Sequence, residues 1–294
     1  MNRKILILGG DLRQLTVAKE FKNDGFDVSF YGFDNSTESI PYYIYSDLEK
    51  GILENDILIM GIPLSRDNLY LNAPFSKKNI KLSEITEYSD SKKLLFGGIL
   101  NSSFKSELKA KNILSFDYGL REELSVYNVI PTVEGAISIA INETPFTLHG
   151  SNILICGFGR IGKILAKSLS SLGVNVTVSA RKLEDLSWID CYGYKKIKTK
   201  NIYDNINKFD IIFNTIPSLV IDEECLKRVK KNSVIIDLAS GSGGIDFKYA
   251  KLLDIKVIRA LSLPGKIAPQ TAGIIIKNTI SNILTELGVK IWGM

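Results

Sequence analysis

A short β-rich run, Ile153-Leu154-Ile155-Cys156, leads directly into Gly157-Phe158-Gly159-Arg160-Ile161-Gly162 and then into a helical stretch at 161–172. No other segment limits the possible folds as tightly. In such a strand–turn–helix unit the first glycine makes the tight turn and the second lets the backbone approach a ligand. The third lets the helix pack on the strand, and the helix N-terminus offers N–H groups to an anion. Alone, a G-x-G-x-x-G spacing is weak, because glycine turns are common; its context decides. Strand-like runs at 152–156, 175–179, 194–197, 210–214, 233–238 and 256–260 make six, the number of a full dinucleotide-binding sheet. The reading is a Rossmann domain for a nicotinamide dinucleotide, with Gly157, Gly159, Arg160, Ile161 and Gly162 at the pyrophosphate.

The first half alternates in the same way, with strands expected at 4–8, 27–31, 56–60, 93–96 and 112–116. Helices begin near Leu12, Phe104 and Gly119, so parallel sheets flanked by helices are expected here too. Pro131 opens an apolar helical stretch at 132–141 that ends before Pro145 and reads as a connector. A last helix at about 269–287 is apolar on one face and is expected to pack back on the first domain. The expected fold is α/β, with two Rossmann-like parallel-sheet domains and a cofactor cleft between them. Residues 1–130 form the substrate or partner domain and residues 131–294 the dinucleotide-binding domain, the connector falling at 131–145.

Composition removes several other classes. The net charge of +5 comes from scattered lysines such as Lys77-Lys78 and Lys230-Lys231, with no basic face interleaved with aromatics, so nucleic acid is not an expected partner. Cys156, Cys191 and Cys225 are odd in number, widely spaced and without a C-x-x-C pair, which argues against a disulfide framework or a metal site. No signal-peptide pattern precedes the first strand, and no apolar run approaches the roughly 20 residues of a membrane span. A cytoplasmic protein with no membrane partner is expected. The single histidine, His149, lies just before strand 152–156, at the amino edge opposite a bound cofactor, which excludes a histidine proton-transfer group and a histidine-dependent triad.

Candidate site residues follow from the carboxyl ends of the strands, where ligands bind in such folds. The second strand ends in Ser179-Ala180-Arg181-Lys182, with no acid before Glu184, where an NAD site usually places Asp or Glu about 20 residues past the first glycine. Ser179, Arg181 and Lys182 suit a 2′-phosphate, so NADP is favoured and NAD stays open; the bland reading is a solvated strand end. Asn214-Thr215-Ile216-Pro217 is placed beside the nicotinamide ribose, and Ala239 follows the fifth strand on the same edge. Asp237 is either a base or a turn cap. The segment Leu263-Pro264-Gly265-Lys266-Ile267-Ala268-Pro269 is too specific for a plain linker. In the first domain, Gly9-Gly10-Asp11-Leu12-Arg13-Gln14 puts Arg13 at a strand's carboxyl end, suited to bidentate capture of a carboxylate or else paired with a nearby acid. Asp11 fits a helix cap.

Taken together, the turn at 9–14, Ile130-Pro131-Thr132-Val133-Glu134-Gly135-Ala136, Asn214-Thr215-Ile216-Pro217-Ser218 and Asp237-Leu238-Ala239-Ser240 with Asp246-Phe247-Lys248-Tyr249-Ala250 form a specific set. Leu263-Pro264-Gly265 with Ala268-Pro269 and Thr271-Ala272-Gly273 completes it. The chain resembles the family of dipicolinate synthase A subunits of spore-forming bacteria, from residue 4 to about residue 287. The resemblance implies an oxidoreductase that makes dipicolinate (pyridine-2,6-dicarboxylate) from a lysine-pathway precursor at the dihydrodipicolinate level. It also implies a second, flavoprotein-like B subunit of dipicolinate synthase and a place in the mother cell during sporulation. In the family the stretch between the Pro-Gly and the Ala-Pro is usually apolar, and a lysine can stand at the position of Gln270; Lys266 and Gln270 depart from that pattern. Catalytic candidates are Glu134, Asp237 and Lys266, with Glu134 also readable as a first-turn acid favouring the helix dipole. Substrate candidates are Asp11, Arg13, Gln14, Thr132 and Ser240. The competing readings are shikimate, methylenetetrahydrofolate or alanine dehydrogenases and a non-catalytic NADP(H)-sensing module. A homo-oligomer stays open.

Overall fold

The computed structural model describes residues 3–289 and divides into two compact units, one running to Asn128 and resuming at Ala268, the other covering Val129–Ile267. The first unit carries β1 (Lys4–Leu8), α1 (Arg13–Asn23), β2 (Asp27–Tyr31), β3 (Tyr43–Ile44), α2 (Leu48–Glu54) and β4 (Ile57–Met60). It continues through α3 (Leu82–Tyr88), β5 (Leu94–Gly97), α4 (Ser102–Ala110), β6 (Leu114–Asp117) and α5 (Glu122–Tyr127). The second unit begins with α6 (Val129–Glu143), β7 (Asn152–Cys156), α7 (Arg160–Ser171), β8 (Asn175–Ala180), α8 (Leu183–Cys191) and β9 (Lys195–Lys198). After it come α9 (Ile202–Asn205), β10 (Ile211–Asn214), α10 (Glu223–Leu226), β11 (Val234–Asp237), α11 (Phe247–Leu252), β12 (Lys256–Arg259) and α12 (Leu263–Ile267). The last helix, α13 (Pro269–Glu286), belongs to the first unit.

Each unit holds a six-stranded sheet whose strand pairs are all parallel, ordered β3-β2-β1-β4-β5-β6 in one and β9-β8-β7-β10-β11-β12 in the other. Both orders are the doubly wound order 3-2-1-4-5-6. The central strands are covered by helices on both faces, so they read as unbroken apolar runs: Ile57–Met60 and Ile211–Asn214 are buried at every position. The order reverses at β1/β4 and at β7/β10, and the carboxyl ends of those strands open the loops where ligands bind.

The first unit is closed by α13, whose Ile276, Ile280, Ile283 and Leu284 share a core with Val17, Ala18 and Phe21. Gly273 makes the crossing possible: a Cβ there would lie 2.6 Å from the carbonyl oxygen of Arg13 and 2.6 Å from Cβ of Thr16. One turn on, the nearly buried Lys277 reaches Asp24 at 2.6 Å. The unit boundary therefore falls at 128/129 and again at 267/268 instead of once at 130/131.

Read as one run, Glu122–Glu143 is long and apolar enough to cross a membrane, an 18-residue stretch of it having a mean hydropathy of 1.4, and it is the one such helix among the described residues. Its length corrects the expectation that no apolar run approaches a membrane span. Val133, Ala136 and Ala140 of this run are buried in the core of the second unit, the pattern of a core helix.

Candidate functional site

In the second unit the three glycines after β7 are constrained differently. Gly157 has φ of +102°, and a Cβ there would lie 2.5 Å from Oγ1 of Thr215. Its N–H donates to the carbonyl of Ser179 at 3.0 Å, which fixes the start of the turn. Gly162 faces back on the turn, and a Cβ would overlap the carbonyl oxygen of Gly157, so only glycine lets α7 lie this close to β7. Gly159 is the opposite: an added Cβ would meet nothing within 4 Å. It caps α7 in an extended conformation, with no side-chain cap and no acid in the first turn of the helix. With no side-chain cap and no acid in that turn, the positive end of the helix dipole is left for an anion. Arg160 opens α7 and is exposed, and Ile161 is half-buried against the core.

Gly157, Gly159, Arg181, Lys182, Thr215, Ile216 and Pro217 line one cavity of about 360 Å³. Phe158, Ala180, Asp185 and Thr199 complete its wall, and the sequence pattern does not single them out. Thr199 follows β9, the neighbour of β8, so its place at the next carboxyl end is the signal available for it. Arg181 is exposed and has no hydrogen-bond or ion-pair partner among the described residues, whereas Lys182 reaches Glu184 at 3.1 Å.

Four expected strand-end site residues, Ser179, Asn214, Asp237 and Ala239, are buried instead. Ser179 stands in register with Cys156 and is fully buried, its Oγ unpartnered, so its hydroxyl is not offered to a ribose or a 2′-phosphate. Burial beside it pushes the Cys156 thiol up to about 12. Asn214 is also fully buried and spends its amide inside the protein. Its Nδ2 donates to the carbonyl of Ile216 at 2.9 Å and to Oδ1 of Asp237 at 2.7 Å, and its Oδ1 accepts from the Ile216 N–H at 3.1 Å. It holds the 215–217 turn in shape and does not reach a nicotinamide ribose. Asp237 lies in register with Asn214 and is fully buried; a Cβ on Gly243 would overlap its unpartnered Oδ2. Asp237 is thus a support beneath the 239–244 loop and not a base in contact with substrate. Ala239 is buried, its N–H 3.4 Å from Oδ1 of Asp237, and Ser240 is exposed in the same loop.

Two further candidates lie on adjacent helices. Gly135 of α6 would bring a Cβ to 3.0 Å from Cγ1 of Ile267 and 3.3 Å from Cβ of Leu263, so the missing side chain seats α12 on α6. Glu134 and Lys266, one on each helix, are both exposed, and Thr132 is half-buried in the first turn of α6. His149 precedes β7 at the amino edge of the sheet and packs on Gly173, away from the glycine turn.

In the first unit the corresponding turn is filled by its own side chains. Asp11 accepts from the Arg13 N–H at 3.1 Å, from Nε at 2.8 Å and from Nη2 at 2.7 Å. Nη2 also donates to the carbonyl of Ile62. Burial works against the Arg13 charge, and the hydrogen bonds and charge of Asp11 outweigh it, so the proton is held more tightly than usual. A guanidinium has five N–H donors, and these contacts leave Nη1 as the free corner. The expected bidentate capture of a carboxylate is not available; donation through Nη1 is. Gln14 is fully buried with both amide atoms unpartnered and curls over Gly10, so it does not touch a substrate. With Asp11 at the head of α1, this turn is not a second phosphate cradle.

Comparison with known proteins fits this division. The family model of the dipicolinate synthase A subunit N-terminal domain matches residues 4–118, and that of the D-isomer specific 2-hydroxyacid dehydrogenase, NAD binding domain, matches residues 135–261. The dipicolinate synthase A subunit of Bacillus subtilis (strain 168) is 32% identical over 289 residues, covering 97% of this chain and 96% of its own. The crystal structure of the dipicolinate synthase A subunit from Bacillus halodurans superposes with a TM-score of 0.87 at 31% identity, covering 96% of this chain and 97% of its own. That of the Bacillus subtilis protein gives 0.87 at 31% identity, covering 98% and 97%. The transhydrogenase of Sinorhizobium meliloti, at TM-score 0.71 and 16% identity over 97% of this chain and 94% of its own, shares the fold.

Proposed function

The chain belongs to the family of dipicolinate synthase A subunits, and from that premise we propose that it forms dipicolinate by oxidising a precursor at the dihydrodipicolinate level. The observation that carries the reading is the glycine cradle: an open Gly159 and an uncapped α7 N-terminus in a chain that is an NAD(P)-dependent oxidoreductase by kinship. The cofactor, when bound, supplies the hydride acceptor. The reaction takes one hydride and one proton from the ring, and the product is aromatic, so the intrinsic drive is large and positioning is the main task.

The chain's own residues divide that task. Gly157, Gly159 and the first turn of α7 hold the pyrophosphate, and Asn214 with Asp237 shapes the 215–217 turn from beneath. Arg181 favours NADP over NAD, through the 2′-phosphate. In the first unit, Arg13 keeps Nη1 to donate to one substrate carboxylate. Glu134 takes the proton, with Lys266, on the helix packed against α6, as a further catalytic candidate. A flavoprotein-like second subunit closes the site against water or completes its acid–base set, and the work takes place in the cytoplasm of the mother cell during sporulation.

The test is dipicolinate formation, followed by its ultraviolet absorbance, from precursor and NADP⁺ with and without the second subunit. The expected result is slow or no formation by the chain alone and a restored rate with the partner. Full turnover without the partner contradicts the assigned division of labour. No product in either case, with nucleotide binding intact, favours a sensing module, a reading that the burial of Asp237 also supports.

A further inference from the structure

A second cavity lies beside the one around the glycine turn. Its space of about 460 Å³ shares Arg181 and Thr199 with the first and adds Lys200, Tyr203 and Leu219 to the wall. Thr199 and Lys200 sit in the single turn Thr199–Asn201 that follows β9, so their position is set by the strand next to the one that delivers Arg181. Thr199 Oγ1 is buried and has no hydrogen-bond partner. Arg181 and Lys200 are exposed and enter no ion pair among the described residues. The acids nearby are differently placed. Asp222 caps α10 through the Cys225 N–H at 2.9 Å, and Glu224 is held by Lys227 at 2.6 Å. Asp185, in the first turn of α8, lines the glycine-turn cavity and not this one.

We propose that Arg181 and Lys200, from two adjacent strand ends, read the 2′-phosphate of the nucleotide as a pair. The inference rests on the NADP reading above and adds to it a residue from a different βα turn. A phosphate monoester carries close to two negative charges near neutral pH, which two unpaired cations match. Lys182, the sequence neighbour of Arg181, is instead engaged with Glu184 at 3.1 Å. A pair of exposed cations also makes the preference dependent on ionic strength.

The experiment uses two half-cofactor probes, adenosine 2′,5′-bisphosphate and adenosine 5′-monophosphate, titrated calorimetrically into the full-length chain and its variants. Folding of each variant is checked by circular dichroism. The wild-type chain is expected to prefer the bisphosphate. Lys200→Met and Arg181→Ala are each expected to lose about tenfold or more in affinity for the bisphosphate and to keep their affinity for the monophosphate, the scale of a lost charge-assisted hydrogen bond. Wild-type preference for the bisphosphate with an unaltered Lys200→Met variant overturns the pairing and leaves the NADP reading standing. Equal wild-type affinity for both probes overturns the NADP reading, and the pairing falls with it. Equal losses on both probes in Lys200→Met assign the lysine to the adenosine or its 5′-phosphate and contradict the proposal.

Discussion

Gly159 and Gly162 stand three residues apart in one motif, yet the geometry predicts different failures when each becomes alanine. At Gly159 the new methyl enters open space, with nothing of the protein within 4 Å and backbone angles that any residue adopts. Replacing glycine by alanine at a helix N-cap costs roughly 1 kcal/mol or less. The methyl does occupy the place from which a pyrophosphate must approach the N–H groups of α7. At Gly162 the methyl overlaps the Gly157 carbonyl oxygen and lies 3.0 Å from its carbon. Helix and strand must then part by roughly 1 Å to recover ordinary contact. Overpacking of this kind costs about 1–3 kcal/mol, against a gain of about 1 kcal/mol in helix propensity. Because the clash is with backbone, the upper end applies and a net loss of about 2 kcal/mol is expected. Urea denaturation followed by circular dichroism, with nucleotide titration by calorimetry, separates the two. Gly159→Ala should keep its stability to within about 1 kcal/mol and lose NADPH affinity by about tenfold or more. Gly162→Ala should lose both. Wild-type affinity in Gly159→Ala refutes the reasoning, because the cradle then lies elsewhere.

Other expected outcomes follow from the same contacts. Arg13→Ala should weaken dicarboxylate binding by about tenfold, the low end for a charged hydrogen bond through a single nitrogen, with NADPH affinity unchanged; equal dicarboxylate affinity in a binding titration removes Arg13 from the site. Gly273→Val should destabilise the first unit by about 1–3 kcal/mol in urea denaturation, since its side chain meets the Arg13 carbonyl. The Cys156 thiol, pushed up to about 12 by burial, stays protonated in the folded chain where the unfolded chain ionises, at a usual value near 9. Stability should therefore fall as pH rises above about 9, by up to about 1.4 kcal/mol per pH unit from this thiol, and Cys156→Ala should flatten the slope. With native protein, a disulfide reagent should modify the exposed Cys191 quickly and the buried Cys156 and Cys225 only after unfolding.

The carboxyl edge of the second sheet is readable because its central strands β7, β10 and β11 are nearly unbroken apolar runs that stop at glycine or polar turns. The same signal is absent from β3, two residues long, and from α2 and α3, each seven residues, so the sequence does not place them. Burial at the edge is harder to read. Asn214 and Asp237 end their strands in the right place, and their mutual register turns both inward to each other. That pairing is a property of two strands and has no trace in either alone. Ser179 is the same case one strand over, set against Cys156. Arg13 shows the reverse: its acid partner is two residues away, and the short separation makes the pair foreseeable. Lys200 reads as one more scattered lysine until β9 is known to flank β8.

The most direct test of the account counts hydrides. Precursor, NADP⁺, the chain and its second subunit are combined, and dipicolinate and reduced nicotinamide are measured together by their separate absorbances. The account predicts one reduced nicotinamide for each dipicolinate, with both falling together in Gly159→Ala. Dipicolinate formed without reduced nicotinamide, or at wild-type rate in Gly159→Ala, contradicts it.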